Sequence, residues 1–104
     1  MNYSENIQIR KATTDVTSGE NKYRIDYIVR NPSGQPVSSI VATAYAVTTD
    51  ESGTETSSRV GNACVDIDNN RNYLAFEQHT QVPLDDQAAI TAQYMADVKQ
   101  ILSE

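Results

Sequence analysis

Residues 23–30 read YRIDYIVR, and this stretch decides the fold. Tyr23, Ile25, Tyr27 and Val29 project to one side of an extended chain, and Arg24, Asp26, Ile28 and Arg30 project to the other. A strand repeats its side-chain direction every second residue, so the stretch predicts a β-strand with one apolar and one mostly charged face. The segment NPSGQP (31–36) follows; Asn, Pro and Gly are turn formers, because Gly accepts a positive φ and Pro presets its own. Beyond it, VSSIVATAYAVTT (37–49) is rich in β-branched residues and predicts a second long strand, with Val41 and Tyr45 on its apolar side.

Toward the N-terminus, IQIRK (7–11) predicts a short strand and TDVT (14–17) its hairpin partner, with SGEN (18–21) as a turn. Toward the C-terminus, TTDESGTETSS (48–58) is polar and acidic and predicts an exposed, flexible loop. Residues 60–83 admit two readings. Local rules favour two strands, 63–67 and 73–81, around a DNNRN turn at 68–72; the other choice is one long, kinked strand. Within 73–81, Leu74 and Phe76 share one face, and Tyr73, Ala75, Glu77 and His79 share the other.

Residues 85–103 predict a helix. Ile90, Tyr94, Val98 and Ile101 recur at helical spacing, and Met95 and Leu102 widen the stripe. Asp85 or Asp86 is placed to cap it, where a carboxylate meets free N–H groups and the positive end of the dipole. Burying a residue such as Ile101 contributes about 1.5–3 kcal/mol, so the helix needs a surface to dock on, and the apolar strand faces provide one. The expectation is an α+β domain over residues 1–104. It has an N-terminal hairpin (1–20), a main sheet (22–83) of five to six antiparallel strands in all, and a C-terminal helix.

The chain has 104 residues and a formal net charge of −6, which argues against a simple basic nucleic-acid binder. The charge is uneven. Residues 22–30 hold Lys22, Arg24 and Arg30 against Asp26, while residues 50–55 hold Asp50, Glu51 and Glu55 without a base. Cys64 is the one cysteine and reads as a small buried hydrophobe, with an intersubunit bridge as the minor alternative. No apolar run is long enough for a membrane helix, and the first residues, MNYSENIQIRK, carry no apolar leader, so synthesis in the cytosol is expected. Enzyme chemistry fails on inventory. One histidine, His79, and one cysteine do not make a typical zinc site, and no nucleophile elbow or phosphate-binding glycine loop is present. Asp66 and Asp68 would share a strand face, where such a pair is most often a solvated edge. No cofactor, metal or small-molecule substrate is expected.

From about Tyr23 to Leu102 the order of parts resembles the coat proteins of single-stranded RNA bacteriophages. The resemblance rests on YRIDYIVR with its NPSGQP turn, and on RNYLAFE (71–77) leading to VP (82–83) and a helix. It implies subunits that pair sheet edge to sheet edge, each helix packing across the partner's sheet, and obligate homodimers that close into a shell around the RNA genome. The protein would then be found in the virion, after synthesis in the bacterial cytoplasm. By the same resemblance, residues 48–62 (with Asp50, Glu51, Gly53 and Glu55) form the assembly loop. Residues 64–83 form one long final strand, and that reading is adopted over the local hairpin. Tyr23, Ile25, Tyr27, Leu74, Phe76, Ile90, Tyr94, Val98 and Ile101 form the core and dimer packing. Arg24, Arg30, Arg71 and Tyr73 face the RNA, the arginines at phosphates and the tyrosine stacked on a base. Asp26, Ile28, Ile40, Ala42 and Ala75 depart from the small hydroxyls, lysines and amide by which better-known members recognise an RNA hairpin. A different reading of the same composition is a small acidic, phage-encoded inhibitor module that presents Asp50, Glu51, Glu55, Asp66 and Asp68 to a basic partner and forms no shell.

Overall fold

A computed structural model describes residues 7–104 of the chain. Five strands and one helix follow one another: β1 (Ile7–Ser18), β2 (Asn21–Pro32), β3 (Ser39–Thr49), β4 (Glu55–Asp66), β5 (Arg71–Phe76) and α1 (Leu84–Leu102). The strands form one antiparallel sheet in the order β1-β2-β3-β4-β5, so every strand lies beside its neighbour in sequence. This is the expected α+β arrangement of an antiparallel sheet with a C-terminal helix.

Each reversal has a local cause. Ser18 pairs with Asn21, which leaves Gly19 and Glu20 as a two-residue hairpin turn. Gly19 takes φ +59° at the first central position, a conformation that costs a side-chain-bearing residue energy. In the next turn Gly34 has φ +71°, and the Gln35 N–H donates to the Pro32 carbonyl at 3.0 Å. Between β3 and β4, Asp50 organises the turn through one carboxylate oxygen, which accepts from the backbone N–H groups of Ser52 and Thr54 and from the Ser52 hydroxyl. These donors, the Ser52 hydroxyl foremost, hold Asp50 below the usual carboxylate range. In the last turn Asn70 adopts φ +53°, and Asp66 accepts from the backbone and side chain of Asn69, so its carboxyl is also depressed.

Several expectations are corrected. Residues 7–18 form one strand paired along its length with β2, not a strand and its return. The alternating apolar pattern in β2 supplies a register long enough to hold a twelve-residue partner. The part of the expected N-terminal hairpin in residues 1–6 lies outside the described residues. The one long final strand over 64–83 is replaced by the β4–β5 hairpin that local turn chemistry favoured, because Asp66, Asn69 and Asn70 close a tight reversal. The sheet ends at Phe76, and His79 lies in the exposed connection to the helix. The acidic loop is shorter than expected, since β3 runs to Thr49 and β4 begins at Glu55. Val41 is 40% exposed, and it lies with Tyr45 on the face opposite the core. Ile40, Ala42 and Ala44 are the buried residues of that strand.

One face of the sheet carries the core. Tyr23, Ile25, Tyr27 and Val29 from β2 meet Ile40, Ala42 and Ala44 from β3 and Val60, Ala63 and Val65 from β4, beneath Ile90, Tyr94 and Val98 of the helix. Leu74, Phe76 and Ile101 are half-buried against this cluster. A register shift between Ala44 and Tyr45 leaves Val60 as an extra residue in β4, which is how Val60 and Gly61 are both buried in succession. Gly61 is required there, because a Cβ would stand 2.9 Å from the Ala75 carbonyl oxygen of β5.

In the single chain the helix lies on its own sheet. The Tyr27 and Tyr94 rings stack at 6.5 Å, the Tyr27 hydroxyl donates to Asp97 at 2.6 Å, and the Tyr94 hydroxyl reaches Asn72 of β5. Neither Asp85 nor Asp86 caps the helix; Pro83 holds that position without a side-chain bond. Asp86 is instead 5% exposed and accepts from Ser18 (2.5 Å), Asn21 (2.8 Å) and Tyr23 (2.5 Å). It is therefore a clasp between the helix start and the β1–β2 turn. Met95 and Leu102 do not extend the buried stripe: they are 48% and 44% exposed.

Candidate nucleic-acid interface

The second face of the sheet is left uncovered by the helix, and cross-strand register fixes what stands beside what. One row reads Ile9, Arg30, Ser39, Asp66, Arg71 across the five strands, and the next reads Lys11, Ile28, Val41, Cys64, Tyr73. A third reads Thr13, Asp26, Thr43, Asn62, Ala75, and the fourth begins Asp15, Arg24, Tyr45, Arg59. Adjacent strands are about 4.8 Å apart, so Arg30 and Arg71 stand about 14 Å from each other along their row.

The four candidate RNA-contacting residues separate into two groups. Arg30, Arg71 and Tyr73 are exposed in the first two rows, and the Arg71 guanidinium lies 5.8 Å from the Tyr73 ring centroid, within cation–π range. Among the described residues Arg30 has no carboxylate partner. Arg24 is different. It donates to Glu55 at 2.6 Å and sits 3.6 Å from Asp15, and the Glu55 hydrogen bond raises its pKa further above the ordinary value. Two carboxylates already engage its guanidinium, so a phosphate would compete with them for it.

The face is thus divided by charge. Lys11, Arg30 and Arg71 stand against Asp66 in the first two rows. In the next two rows Asp15 and Asp26 stand against Arg24 and Arg59, the latter paired with Glu77, and beyond them follow Lys22 and then Glu55, which reaches back to Arg24. Sequence reasoning missed Lys11, because it placed residues 7–11 in a separate hairpin. The signal was the alternation of Ile9, Lys11, Thr13 and Asp15 continuing past the supposed turn. Cys64 is half-buried in the second row beside Tyr73.

The core candidates Tyr23, Ile25, Tyr27, Ile90, Tyr94 and Val98 are together and buried, with Leu74, Phe76 and Ile101 at their margin. Of the loop candidates, Asp50, Glu51 and Gly53 form the exposed β3–β4 turn, while Glu55 is drawn back to Arg24. Gly53 takes φ +87°, and its N–H donates to the Asp50 carbonyl.

The sheet edges differ in their protection. The outer strand β1 carries Arg10, Lys11 and Asp15, charges of the kind that discourage edge-to-edge pairing. The other outer strand, β5, reads RNYLAF and has a charge only at its first position. On the helix, Asp86 and Asp97 point toward β1 and β2, and Tyr94 points toward β5. Continuing around the helix in that direction brings up Leu84, Met95 and Leu102, which are 65%, 48% and 44% exposed. Exposed apolar groups and an undefended strand edge therefore lie on the same side of the molecule. No protein-family model matches the chain, and neither a curated protein nor a solved structure does so.

Proposed function

We propose that the chain is a coat protein of a single-stranded RNA bacteriophage. Two copies would join β5 edge to β5 edge, and the dimers would assemble into a shell with the uncovered sheet face toward RNA. The observation that carries this reading is the undefended β5 edge beside the exposed flank of Leu84, Met95 and Leu102. Antiparallel pairing there would satisfy the free backbone groups of β5 and remove apolar area from water. A partner's helix packing near half-buried Leu74 and Phe76 would complete the cover. An antiparallel sheet followed by a C-terminal helix is the part of the implied architecture that supports this reading. The elongated form, 54 × 30 × 23 Å with a radius of gyration of 15.7 Å, fits an element of a wall. A compact domain of this length would have a radius of gyration of about 13 Å. RNA contact would fall to Lys11, Arg30, Arg71 and Tyr73, and the exposed Asp50–Gly53 turn would meet other dimers.

The acidic inhibitor module remains as a second reading, favoured by the exposed Asp50, Glu51 and Asp68 of the turns at the ends of the sheet. Expression in bacteria followed by size-exclusion chromatography, negative-stain microscopy and the nucleic-acid absorbance of the large fraction decides between them. Uniform round particles containing RNA are expected. A dimer or monomer free of RNA at several salt concentrations would sink the coat reading. Phe76→Asp is expected to abolish the dimer, because it sets a charge at the margin of the core beside the proposed contact.

A further inference from the structure

We propose that two copies of the chain pair their β5 strands in one register, centred on Leu74, in which Arg71 of each copy lies opposite the partner's Glu77. This rests on the β5-to-β5 joining proposed above and fixes which residues meet across it.

Backbone phase limits the choice of register. In an antiparallel ladder, residues whose N–H and C=O point at one neighbouring strand alternate with residues whose groups point away from it. The β4–β5 ladder pairs Gly61 with Phe76, and one step further the Glu77 N–H donates to the Val60 carbonyl at 2.9 Å. Glu77 therefore turns its backbone groups toward β4, and by alternation so do Ala75, Tyr73 and Arg71. Asn72, Leu74 and Phe76 turn theirs to the open edge. A two-fold pairing that sets Leu74 beside the partner's Leu74 also sets Asn72 beside the partner's Phe76, and each outward group then meets an outward group. Moving the axis to Tyr73 brings Phe76 opposite the partner's Asn70, a turn position where φ is +53°. Moving it to Ala75 brings Asn72 opposite the partner's Gln78, past the end of the strand. Either shift leaves edge groups unpaired, which the Leu74 register avoids.

Side chains favour the same register. On the uncovered face it places Tyr73 beside the partner's Ala75, whose small side chain leaves room for the ring. It places Arg71, whose guanidinium lies 5.8 Å from its own Tyr73 ring centroid, beside the partner's Glu77. Opposite charges directly across a strand pair stabilise it, and the two-fold axis supplies this pair twice. With the axis at Tyr73, Arg71 would meet the partner's Ala75; with the axis at Ala75, it would meet the partner's His79. Neither alternative brings it a carboxylate. On the core face, the half-buried Leu74 side chains meet at the axis, and Asn72, which accepts from the Tyr94 hydroxyl, lies beside the partner's Phe76.

The test is oxidative cross-linking of single-cysteine variants of the full chain in a Cys64→Ser background, read on non-reducing gels. Hydrogen-bonded antiparallel partners stand about 5.5 Å apart at Cα, inside the disulfide range. Leu74→Cys is therefore expected to form a covalent dimer. Tyr73→Cys and Ala75→Cys are not, because in this register each lies about 8 Å from its own copy. The double variant Tyr73→Cys/Ala75→Cys keeps Leu74 in place and should cross-link where its two singles do not. Charge reversal gives a second readout. Arg71→Glu or Glu77→Arg alone should weaken the dimer about 10-fold in sedimentation over a dilution series, and the two together should recover to within about threefold. If Glu77 served only Arg59 of its own chain, Arg71→Glu would not rescue Glu77→Arg. Cross-linking of Tyr73→Cys or Ala75→Cys alone, or a double reversal that does not recover, overturns the register while the β5 pairing stands. No cross-link in any variant, from a wild type that is a dimer by light scattering, overturns the β5 pairing as well. A Leu74→Cys cross-link without round particles keeps the register and removes the shell.

Discussion

Replacing Tyr27 with Phe tests whether the helix is held on the sheet as described. Tyr27 is 2% exposed, its ring stacks on Tyr94, and its hydroxyl donates to one oxygen of Asp97 at 2.6 Å. Phe keeps the ring, so the stacking and most of the buried area survive, and the change isolates one hydrogen bond to a carboxylate. Such bonds contribute about 1.5–3 kcal/mol. The low end applies here, because the other Asp97 oxygen keeps its bond from Gln93 at 2.9 Å and Asp97 is not fully buried. A loss of about 1.5 kcal/mol is expected, a sizeable part of the roughly 5–15 kcal/mol that holds a domain folded. It corresponds to a Tm lower by about 6–12 °C. The assay is urea denaturation followed by far-UV circular dichroism for Tyr27→Phe, Asp97→Ala and the double variant, at several protein concentrations. The cycle should return a coupling of about 1 kcal/mol or more. A coupling under about 0.5 kcal/mol would refute the Tyr27–Asp97 bond, since uncoupled sites scatter by that much. An obligate dimer's midpoint itself rises with protein concentration, so each variant is compared with the wild type at the same concentration.

Three further outcomes follow from the same geometry. Asp86 is held below the usual carboxylate range, chiefly by the Ser18 hydroxyl and then by Tyr23 and Asn21. Its folded-state pKa is thus below the unfolded value of 3.8, so its stabilisation is present above that value and is lost as pH falls through the folded pKa. Thermal melts should show wild-type Tm falling in acid and a flatter profile for Asp86→Asn; parallel profiles would count against the clasp. Gly61→Ala should destabilise the β4–β5 pair by about 1–3 kcal/mol, through the clash with the Ala75 carbonyl, and hydrogen exchange should report the loss first in β5. Arg30→Ala with Arg71→Ala should lower the RNA content of particles, while Arg24→Ala should leave it nearly unchanged, since Glu55 and Asp15 already occupy that guanidinium; absorbance ratios of purified particles decide.

The parts of this fold that rest on strict periodicity were legible in the sequence. YRIDYIVR gave its four buried residues correctly, and the helix lies within one residue of its expected bounds, because burial on one face leaves a regular imprint. Residues 7–18 were harder. Their core side mixes polar Gln8, Arg10 and Thr14 with Ala12 and buried Val16, so the apolar alternation of β1 is broken. In residues 64–83 the DNNRN turn (68–72) is legible locally, but the Asp66 carboxylate that closes it on Asn69 is not, and the resemblance points to a continuous strand. Val41 went to the wrong face because V-S-S-I-V-A-T-A is apolar on both sides of a strand. Only its pairing with Ile28 fixes the phase. The candidate site was legible in residue types but not in partners. That Glu55 and Asp15 neutralise Arg24, and that Lys11 joins Arg30 and Arg71, are facts of register across strands far apart in sequence.

The meander has a consequence in time. Every strand pairs with the one made just before it, so the sheet can close hairpin by hairpin with short loops. The helix is the exception. Its bonds to the β1–β2 hairpin join residues 63 to 70 positions apart, from Tyr23–Asp86 to Tyr27–Asp97. During synthesis the strands therefore leave the ribosome first, and the apolar face of Tyr23, Ile25 and Tyr27 stays bare until residues 84–102 follow. At about 5–20 residues per second that interval lasts seconds, long compared with the microseconds of hairpin closure. Until then that face is open to any other apolar surface, so the last nineteen residues to be folded are the ones that close the core.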